Sequence, residues 1–455
     1  HVHNFWYDRV GSADFYMLPS TAFLRHDFTE FYKIGPSVEF GRGDLEKFGY
    51  FIVDVYEDGH VAYSVRTLDN ASRQNVEANK DHRPNVAHPS TSQFDRVGAE
   101  LRHPWTEKLQ ISATGGVQEF GRKWARNDYP LLALWEMGSR LSKLPDIDIA
   151  DSETRARMQL MARLGHRYVV TSLGKPKFSA QTDEIRNLGI EAVEVNATLE
   201  TFDKQKSALH AWKQSANTQL FLAKIHTFDD SHFDGKHFSH FVKSGFTLKE
   251  LTASEPLITS AVNAGILDGI TVRIEPDESI IGAAKQLMQF VKKTGAYVIA
   301  SLKTGGINLA TERADDTEMV LRVAQAMAMS LTSDKVRYVF DTFMDVDRGY
   351  FPRHGFIDRR CDLRPAAHAF TTINALISSS QAHIEIVENK ITFSCGHATF
   401  ELLHGVSTDI VNDFADSNCV WVHDLVQNTR YSKNTFDSLL ASSKSRHVLL
   451  LQSNH

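Results

Sequence analysis

The stretch SIIGAAKQLMQFVKKTGAYVIASL, residues 279–302, decides the fold. Its first part has the apolar spacing of an amphipathic helix, and Gly295 stands where a glycine commonly ends a helix. The second part, AYVIASL, is a nearly continuous apolar run, which indicates a strand buried on both faces. A helix that leads directly into such a strand is typical of a parallel α/β sheet.

The same rhythm extends over much of the chain. Helical stretches such as SETRARMQLMARLG (152–165) alternate with apolar runs at residues 131–137, 167–173, 190–196, 219–225, 269–275, 296–302 and 336–343. Such units repeated over about 250 residues predict an α/β fold, a (β/α)8 TIM-like barrel. Its eighth strand is expected either near residue 110 or within 342–364. A doubly wound open sheet is the alternative, although no Gly-x-Gly-x-x-Gly motif follows a strand to support it.

Length and composition bound the remaining choices. A chain of 455 residues with 42% hydrophobic and 23% charged residues indicates a globular protein of several domains. The net charge of -6 disfavours broad nucleic-acid binding. No apolar run approaches the roughly 20 residues that cross a bilayer. The three cysteines make a disulfide framework an unfavourable interpretation. The sequence does not predict a cellular location.

The first segment carries two histidines and a hairpin signal. His1 and His3 are two positions apart, so in an extended segment both imidazoles point the same way. Residues 49–68, GYFIVDVYEDGHVAYSVRTL, alternate apolar and polar positions around Asp58-Gly59. Asp-Gly between alternating runs predicts a β-hairpin, because both central turn residues need a positive φ.

Over residues 1–68 these features resemble the C-terminal end of calcineurin-like metallophosphoesterases, a family with an αββα fold. The resemblance implies that His1 and His3 are ligands of a dinuclear centre of divalent metal ions such as Mn, Fe or Zn. Two metals about 4 Å apart can bind a phosphoryl oxygen and generate a hydroxide nucleophile. The family's other motifs are absent from the chain, so the resemblance also implies a truncated, β-rich remnant of that domain.

The domain organisation predicted from these patterns has four parts. The phosphoesterase remnant occupies residues 1–68, and the polar, proline-containing stretch 69–127 is a linker. The barrel occupies residues 128–378. Residues 379–455 form a small β-rich C-terminal domain, because HIEIVENKITFSC and two later apolar runs indicate short strands.

Ionisable residues gather where the predicted barrel strands end. Since barrel enzymes act at the C-terminal ends of their strands, these residues are predicted to line one cavity. The predicted catalytic residues are the carboxylates Glu194, Glu275 and Asp341. The predicted substrate-binding residues are Glu136, Lys224, His226, Arg273, Lys303, Asp345 and Arg348. Alternating Asp and Arg in the loop after residue 341 are equally consistent with an ion-pair network that fixes the loop.

Residues 130–378 loosely resemble the barrels of clan A glycoside hydrolases. That resemblance implies an acid/base at the end of the fourth strand, usually after Asn, and a nucleophile at the end of the seventh. The chain departs from this pattern, because its fourth apolar run ends at Lys224-Ile225-His226 and its last clear run ends at Asp341 rather than Glu.

The main functional prediction is therefore a hydrolase: a truncated metal-dependent phosphoesterase fused to a barrel. Two alternatives are a carbohydrate-active barrel hydrolase and a catalytically inactive glycan-binding barrel. The expected partner is a small phosphoester or a carbohydrate, with no nucleic acid and no membrane.

Overall fold

The computed structural model describes the chain in sections. They are residues 6–10, 13–18, 49–57, 59–66, 82–84, 94–111, 123–226, 243–305, 315–345, 355–358, 361–377, 382, 384–387, 390–395, 398–406, 410, 414–415, 417–442 and 446–454.

The strands, in chain order, are β1 Trp6–Val10, β2 Ala13–Met17, β3 Gly49–Tyr56, β4 Gly59–Arg66, β5 His82–Pro84, β6 Val97–Glu100, β7 Lys108–Ile111, β8 Lys123–Arg126, β9 Leu141–Pro145, β10 Arg167–Leu173, β11 Ile190–Ala197, β12 Gln219–Lys224, β13 Phe246–Thr247, β14 Gly269–Ile274, β15 Tyr297–Leu302, β16 Val336–Phe340, β17 Ile384–Val387, β18 Lys390–Cys395, β19 Ala398–Val406, β20 Trp421–Asp424, β21 Thr429–Ser432 and β22 Arg446–Asn454.

The α-helices, in the same order, are α1 Tyr129–Met137, α2 Ser152–Arg163, α3 Thr182–Asn187, α4 Leu199–Ala216, α5 Leu251–Asn263, α6 Ile280–Thr294, α7 Asp316–Ser330, α8 Pro365–Leu376 and α9 Lys433–Ser442.

Eight parallel strands close into a barrel, as the sequence predicts. Their order around the ring is β6, β9, β10, β11, β12, β14, β15 and β16; β16 pairs with β6 and β12 pairs with β14. The short strand β13 lies beside β14. Helix α6 begins at a serine cap, where Ser279 accepts a hydrogen bond from the Gly282 amide. It ends at Gly295, whose φ of 71° is left-handed.

Two of the eight strands differ from the prediction. Residues 131–137 are not a strand but the greater part of α1, which begins with Pro130 in its first turn and ends at Gly138 with a φ of 73°. A short, continuous apolar run has no periodicity that distinguishes a buried helix from a buried strand, so the sequence pattern predicted the wrong element here. The strands that complete the ring are β6 and β9, and β6 comes from the stretch predicted to be a linker.

The barrel interior is layered. Its apolar layer consists of the inward side chains Leu141, Val169, Ala192, Phe221, Ile299 and Val339. Because strand side chains alternate between faces, the residues two positions later along the strands also point inward. On several strands those positions are polar, so the barrel interior is apolar in this layer and polar nearer the C-terminal ends of the strands.

Two glycines let neighbouring strands approach closely. A Cβ on Gly98 in β6 would lie 2.1 Å from the carbonyl oxygen of Leu141. A Cβ on Gly269 in β14 would lie 2.1 Å from the carbonyl oxygen of Tyr297. Both contacts are with backbone, so no side-chain movement could relieve them.

The C-terminal region forms a seven-stranded antiparallel sheet in the order β17, β18, β19, β22, β20, β21 and β5. Most of the sheet follows the barrel in the chain, as predicted. Its edge strand β5, which pairs with β21, is His82–Pro84 and precedes the barrel. Phe393 and Leu450 belong to the same apolar core as the barrel helices. Cys361, Cys395 and Cys419 are all buried.

The described part of residues 1–68 consists of two hairpins. Strands β1 and β2 pair with each other, and β3 pairs with β4. The predicted hairpin is confirmed, but Tyr56 and Gly59 are its closing pair, so the turn lies one position earlier than Asp58-Gly59. In the described sections of the chain, no helix has the length and apolar character needed to cross a membrane.

Candidate active site

Polar side chains fill the barrel at the C-terminal side of its apolar layer. Lys143, Thr171, Glu194 and Asp341 each follow a residue of that layer by two positions. Arg273 and Lys303 lie further along β14 and just beyond β15, respectively. We call the C-terminal end of the barrel, where these groups converge, the mouth.

Glu194 lies inside the barrel and is completely paired. Its Oε1 is 2.6 Å from Lys143 Nζ and also accepts a hydrogen bond from Thr171 Oγ1 at 3.1 Å. Its Oε2 accepts one from Thr271 Oγ1 at 2.7 Å. Burial favours the protonated acid, but Lys143 and the hydrogen bonds outweigh it and hold the pKa of Glu194 below its usual value. Only 1% of the side chain is exposed, so this carboxylate holds the interior together rather than facing a ligand.

Asp341 follows β16 and carries a second cluster. Its Oδ1 accepts hydrogen bonds from the Thr304 hydroxyl at 2.9 Å and amide at 3.3 Å. Its Oδ2 is 3.6 Å from Lys303 Nζ and 3.8 Å from Arg102 Nη2. Burial would raise the pKa of Asp341, but Lys303 and Arg102 outweigh it and keep the carboxylate ionised.

The structure adds Arg102 to the residues that the sequence indicated. It follows β6, donates from Nε to the Asp341 carbonyl at 3.0 Å and has a φ of 55°, which is unusual for a residue with a side chain. No feature of the sequence marked it, because β6 is a short strand with a glycine and a glutamate.

Arg273 and Glu275 form a two-bond pair at the end of β14. Arg273 Nε contacts Glu275 Oε1, and Nη2 donates to Oε2 at 3.2 Å. A fork of this kind fixes both planar groups. One third of the Glu275 side chain, 33%, is exposed, compared with 6% for Asp341. Glu275 is therefore the more accessible of the two carboxylates.

Lys224 and His226 share a carboxylate that the sequence did not single out. Lys224 Nζ contacts Glu250 Oε1, and His226 Nε2 lies 3.8 Å from Glu250 Oε2. The same Oε2 accepts the Thr247 amide at 2.8 Å in a capping box. Burial opposes ionisation of Glu250, but Lys224 and Thr247 lower its pKa overall. The Thr-x-x-Glu spacing at 247–250 was the available signal for this residue.

Other predicted residues lie elsewhere. Glu136 is on α1, which contacts α8, so it is not at a barrel strand end; this placement corrects the prediction. Asp345 accepts the Gly355 amide at 2.8 Å and pairs with Arg364 Nη2 at 2.5 Å, which fixes the loop after β16. Arg348, His1 and His3 lie outside the described residues.

Counting the barrel strands in the structure changes which residues stand at the ends of the fourth and seventh strands. The fourth barrel strand is β11, not β12, and ends at Asn196-Ala197. The seventh is β15, which is followed by Lys303. Neither position carries the carboxylate that the resemblance to clan A glycoside hydrolases implies.

Comparison with known proteins finds likeness only among solved structures. No protein-family model and no curated protein matches the chain. A family 39 glycoside hydrolase from the gut symbiont Bacteroides cellulosilyticus WH2 gives a TM-score of 0.47 at 9% identity, over 90% of this chain and 86% of that one. A glucosidase from Croceicoccus marinus gives 0.42 at 10% identity, over 71% and 78%. An L-ribulose 3-epimerase gives 0.34 at 14% identity, over 62% and 95%. Each is a likeness of fold alone.

The phosphoesterase prediction is wrong. The described residues of 1–68 form two hairpins, each a two-stranded sheet, rather than part of an αββα sandwich. The described sections hold no group of three or more His, Cys, Asp or Glu side chains placed to hold a metal ion, and His1 and His3 lie outside those sections.

Proposed function

We propose that the chain is a carbohydrate-active barrel that binds a sugar at its mouth. One observation carries the proposal: three cation–carboxylate pairs lie at the mouth. Arg273–Glu275 and Lys224–Glu250 are partly exposed, and Lys303–Asp341 is mostly buried beside them. Sugar hydroxyls both donate and accept hydrogen bonds. Paired cations and carboxylates therefore offer complementary partners, whereas a phosphate group would favour uncompensated positive charge.

Hydrolysis of a glycosidic bond would fall to Glu275 and Asp341. This chemistry needs two carboxyl groups, one acting as acid and the other as base or nucleophile. The lowered pKa of Asp341 suits the ionised role. Glu275, the more exposed of the two, is the candidate acid. Glu194 is not among the proposed catalytic residues, because its side chain is 1% exposed and Lys143 and two threonines contact its oxygens.

Glycan binding without turnover is the second candidate. It is favoured by the absence of carboxylates at the ends of the fourth and seventh strands, where Ala197 and Lys303 stand instead. Hydrolysis and binding separate experimentally, because a binding module retains affinity with no release of reducing ends.

The test combines a glycan array with a hydrolysis screen of aryl glycosides and polysaccharides. A hydrolase would release product, and Glu275→Gln and Asp341→Asn would each abolish release while leaving a folded protein that still binds. Binding with no release would assign the second candidate. Failure to bind or cleave any carbohydrate, in protein whose circular dichroism shows it folded, would contradict the proposal.

A further inference from the structure

Two cations share one carboxylate oxygen after β16. Lys303 Nζ and Arg102 Nη2 lie 3.6 Å and 3.8 Å from Asp341 Oδ2, and both separations exceed hydrogen-bond length. The other oxygen, Oδ1, is occupied by Thr304. The Asp341 side chain is only 6% exposed. One negative charge thus faces two positive ones in a poorly solvated place.

Lys303 is the member of this cluster that can give up its charge. An arginine keeps its proton throughout the accessible pH range, whereas a buried lysine can lose one. Burial lowers the pKa of Lys303; Asp341 and Glu100 act against this effect, and Arg273 and Lys143 add to it. The net direction is downward, which increases the share of neutral amine at neutral pH.

Lys143 shows the opposite arrangement on a nearby strand. Its Nζ is 2.6 Å from Glu194, within hydrogen-bond length, and its side chain is 6% exposed. Burial alone would lower the pKa of Lys143, but Glu194 and Glu100 raise it overall. Lys303 is more weakly paired, is 13% exposed and lies just beyond the end of β15, where the mouth opens.

We propose that Lys303 is a nucleophile that forms a Schiff base with carbonyl compounds entering the mouth, with open-chain aldoses as the substrate class. The amine chemistry goes beyond the proposed carbohydrate function and does not depend on it. The choice of an aldose does rest on that function, because Arg273 and Glu275 would have to bind the hydroxyls.

The step balances without a co-reactant. The lone pair of neutral Nζ attacks the carbonyl carbon, so a C–N bond forms as the C=O π bond breaks. One amine proton moves to the oxygen and gives a carbinolamine. The second leaves with that hydroxyl as water, and an imine remains. Asp341 Oδ2, 3.6 Å from Nζ, is placed to accept a proton from nitrogen and return it to the departing hydroxyl.

The test is reductive trapping on the whole chain. The protein is incubated at pH 7 with D-glyceraldehyde and sodium cyanoborohydride, which reduces the imine to a stable secondary amine, and labelled peptides are mapped by mass spectrometry. Lys303 should label several-fold faster than Lys204, which is exposed on α4, because the lowered pKa of Lys303 leaves a larger share of its amine neutral. Labelling of Lys303 no faster than that of Lys204 would overturn the proposal.

Two further arms separate the parts of the inference. Lys303→Arg keeps the charge and should remove this adduct alone, leaving labelling at Lys204 unchanged; an unchanged adduct yield at that site's peptide would reject the assignment. Propionaldehyde, which lacks hydroxyls, tests the amine by itself. If it labels Lys303 as fast as glyceraldehyde does, the nucleophile stands and the aldose is rejected, whatever the glycan array shows.

Discussion

Lys143 Nζ and Glu194 Oε1 lie 2.6 Å apart inside the barrel, with 6% and 1% of their side chains exposed. The two residues are on β9 and β11, and β10 lies between these strands. Each charge is therefore stabilised by the other across an intervening strand rather than by solvent. Thr171 on that middle strand donates to Glu194 and completes the arrangement.

Removing one partner of this pair should destabilise the fold. Glu194→Gln leaves Lys143 as a buried, uncompensated charge, which we expect to reduce the free energy of unfolding by about 3–5 kcal/mol. The double variant Lys143→Met/Glu194→Leu should recover most of that loss. Urea denaturation measures both. As a control, Glu200→Gln breaks the exposed pair with Lys204 and should cost about 0–1 kcal/mol. A cost for Glu194→Gln as small as the control's would contradict this prediction.

His166 should make stability fall in acid. This side chain is fully buried, and burial, with Arg140 and Arg167, lowers its pKa from 6.5 to about 3. Below pH 6.5 the unfolded chain therefore takes up a proton that the folded protein does not. Unfolding free energy should decrease as the pH falls from 6.5 towards 3, by at most about 1.4 kcal/mol per pH unit from this residue. His166→Gln should flatten that dependence in denaturation series at several pH values; an unchanged slope would show that His166 does not cause it.

Substitution by alanine should have opposite effects on stability at Gly269 and Gly282. In Gly269→Ala the new Cβ would meet the carbonyl oxygen of Tyr297 at 2.1 Å, so β14 and β15 must separate. We expect a loss of about 2 kcal/mol or more. Gly282→Ala, in the first turn of α6, meets only ordinary contacts at 3.5 Å and should stabilise by about 0.5–1 kcal/mol. Thermal unfolding of both variants checks the contrast, and equal effects would argue against the tight strand approach.

Lys224 should matter for glycan binding where Lys204 does not. Lys224→Met removes the cation beside Glu250 at the mouth, and a lost charged hydrogen bond costs about 1.5–3 kcal/mol, or roughly tenfold or more in affinity. Lys204→Met removes an equivalent charge from an exposed pair on α4 and should leave affinity unchanged. Calorimetric titration with any glycan that binds on the array gives the comparison. Equal affinities for the two variants would move the binding surface away from this side of the mouth.

The sequence predicted most of the barrel because its central strands are buried on both faces. Runs 167–173, 190–196 and 269–275 agree with β10, β11 and β14 to within one residue at either end. The first two barrel strands could not be recognised. Strand β6 is VGAE, with a glycine demanded by the Leu141 backbone, and β9 is LSKLP, whose central Lys143 faces the interior. Inward charge and small residues remove the apolar signal on which such a prediction depends.

The candidate site was predicted in part for a related reason. Arg273, Glu275, Lys303 and Asp341 lie at or just beyond the ends of recognisable strands, so their placement could be inferred. Arg102 comes just after β6 and Lys143 lies on β9, and neither strand was recognised. The sequence pattern also could not predict how exposed each side chain is. Glu194 and Glu275 both come at the end of apolar runs, yet their side chains are 1% and 33% exposed. Whether a charged side chain meets an oppositely charged partner depends on the register between neighbouring strands, and that register is set only when the barrel closes.

Strand β5, His82–Pro84, pairs with β21 of the C-terminal sheet, whereas all eight barrel strands lie between them in the chain. During synthesis, His82–Pro84 leaves the ribosome before the barrel, and its partner Thr429–Ser432 leaves after it. The sheet therefore cannot be completed until the barrel strands and residues 429–432 have been made, and closing so long a loop is intrinsically slow. Translation that stops after the barrel would leave His82–Pro84 without its partner strand Thr429–Ser432.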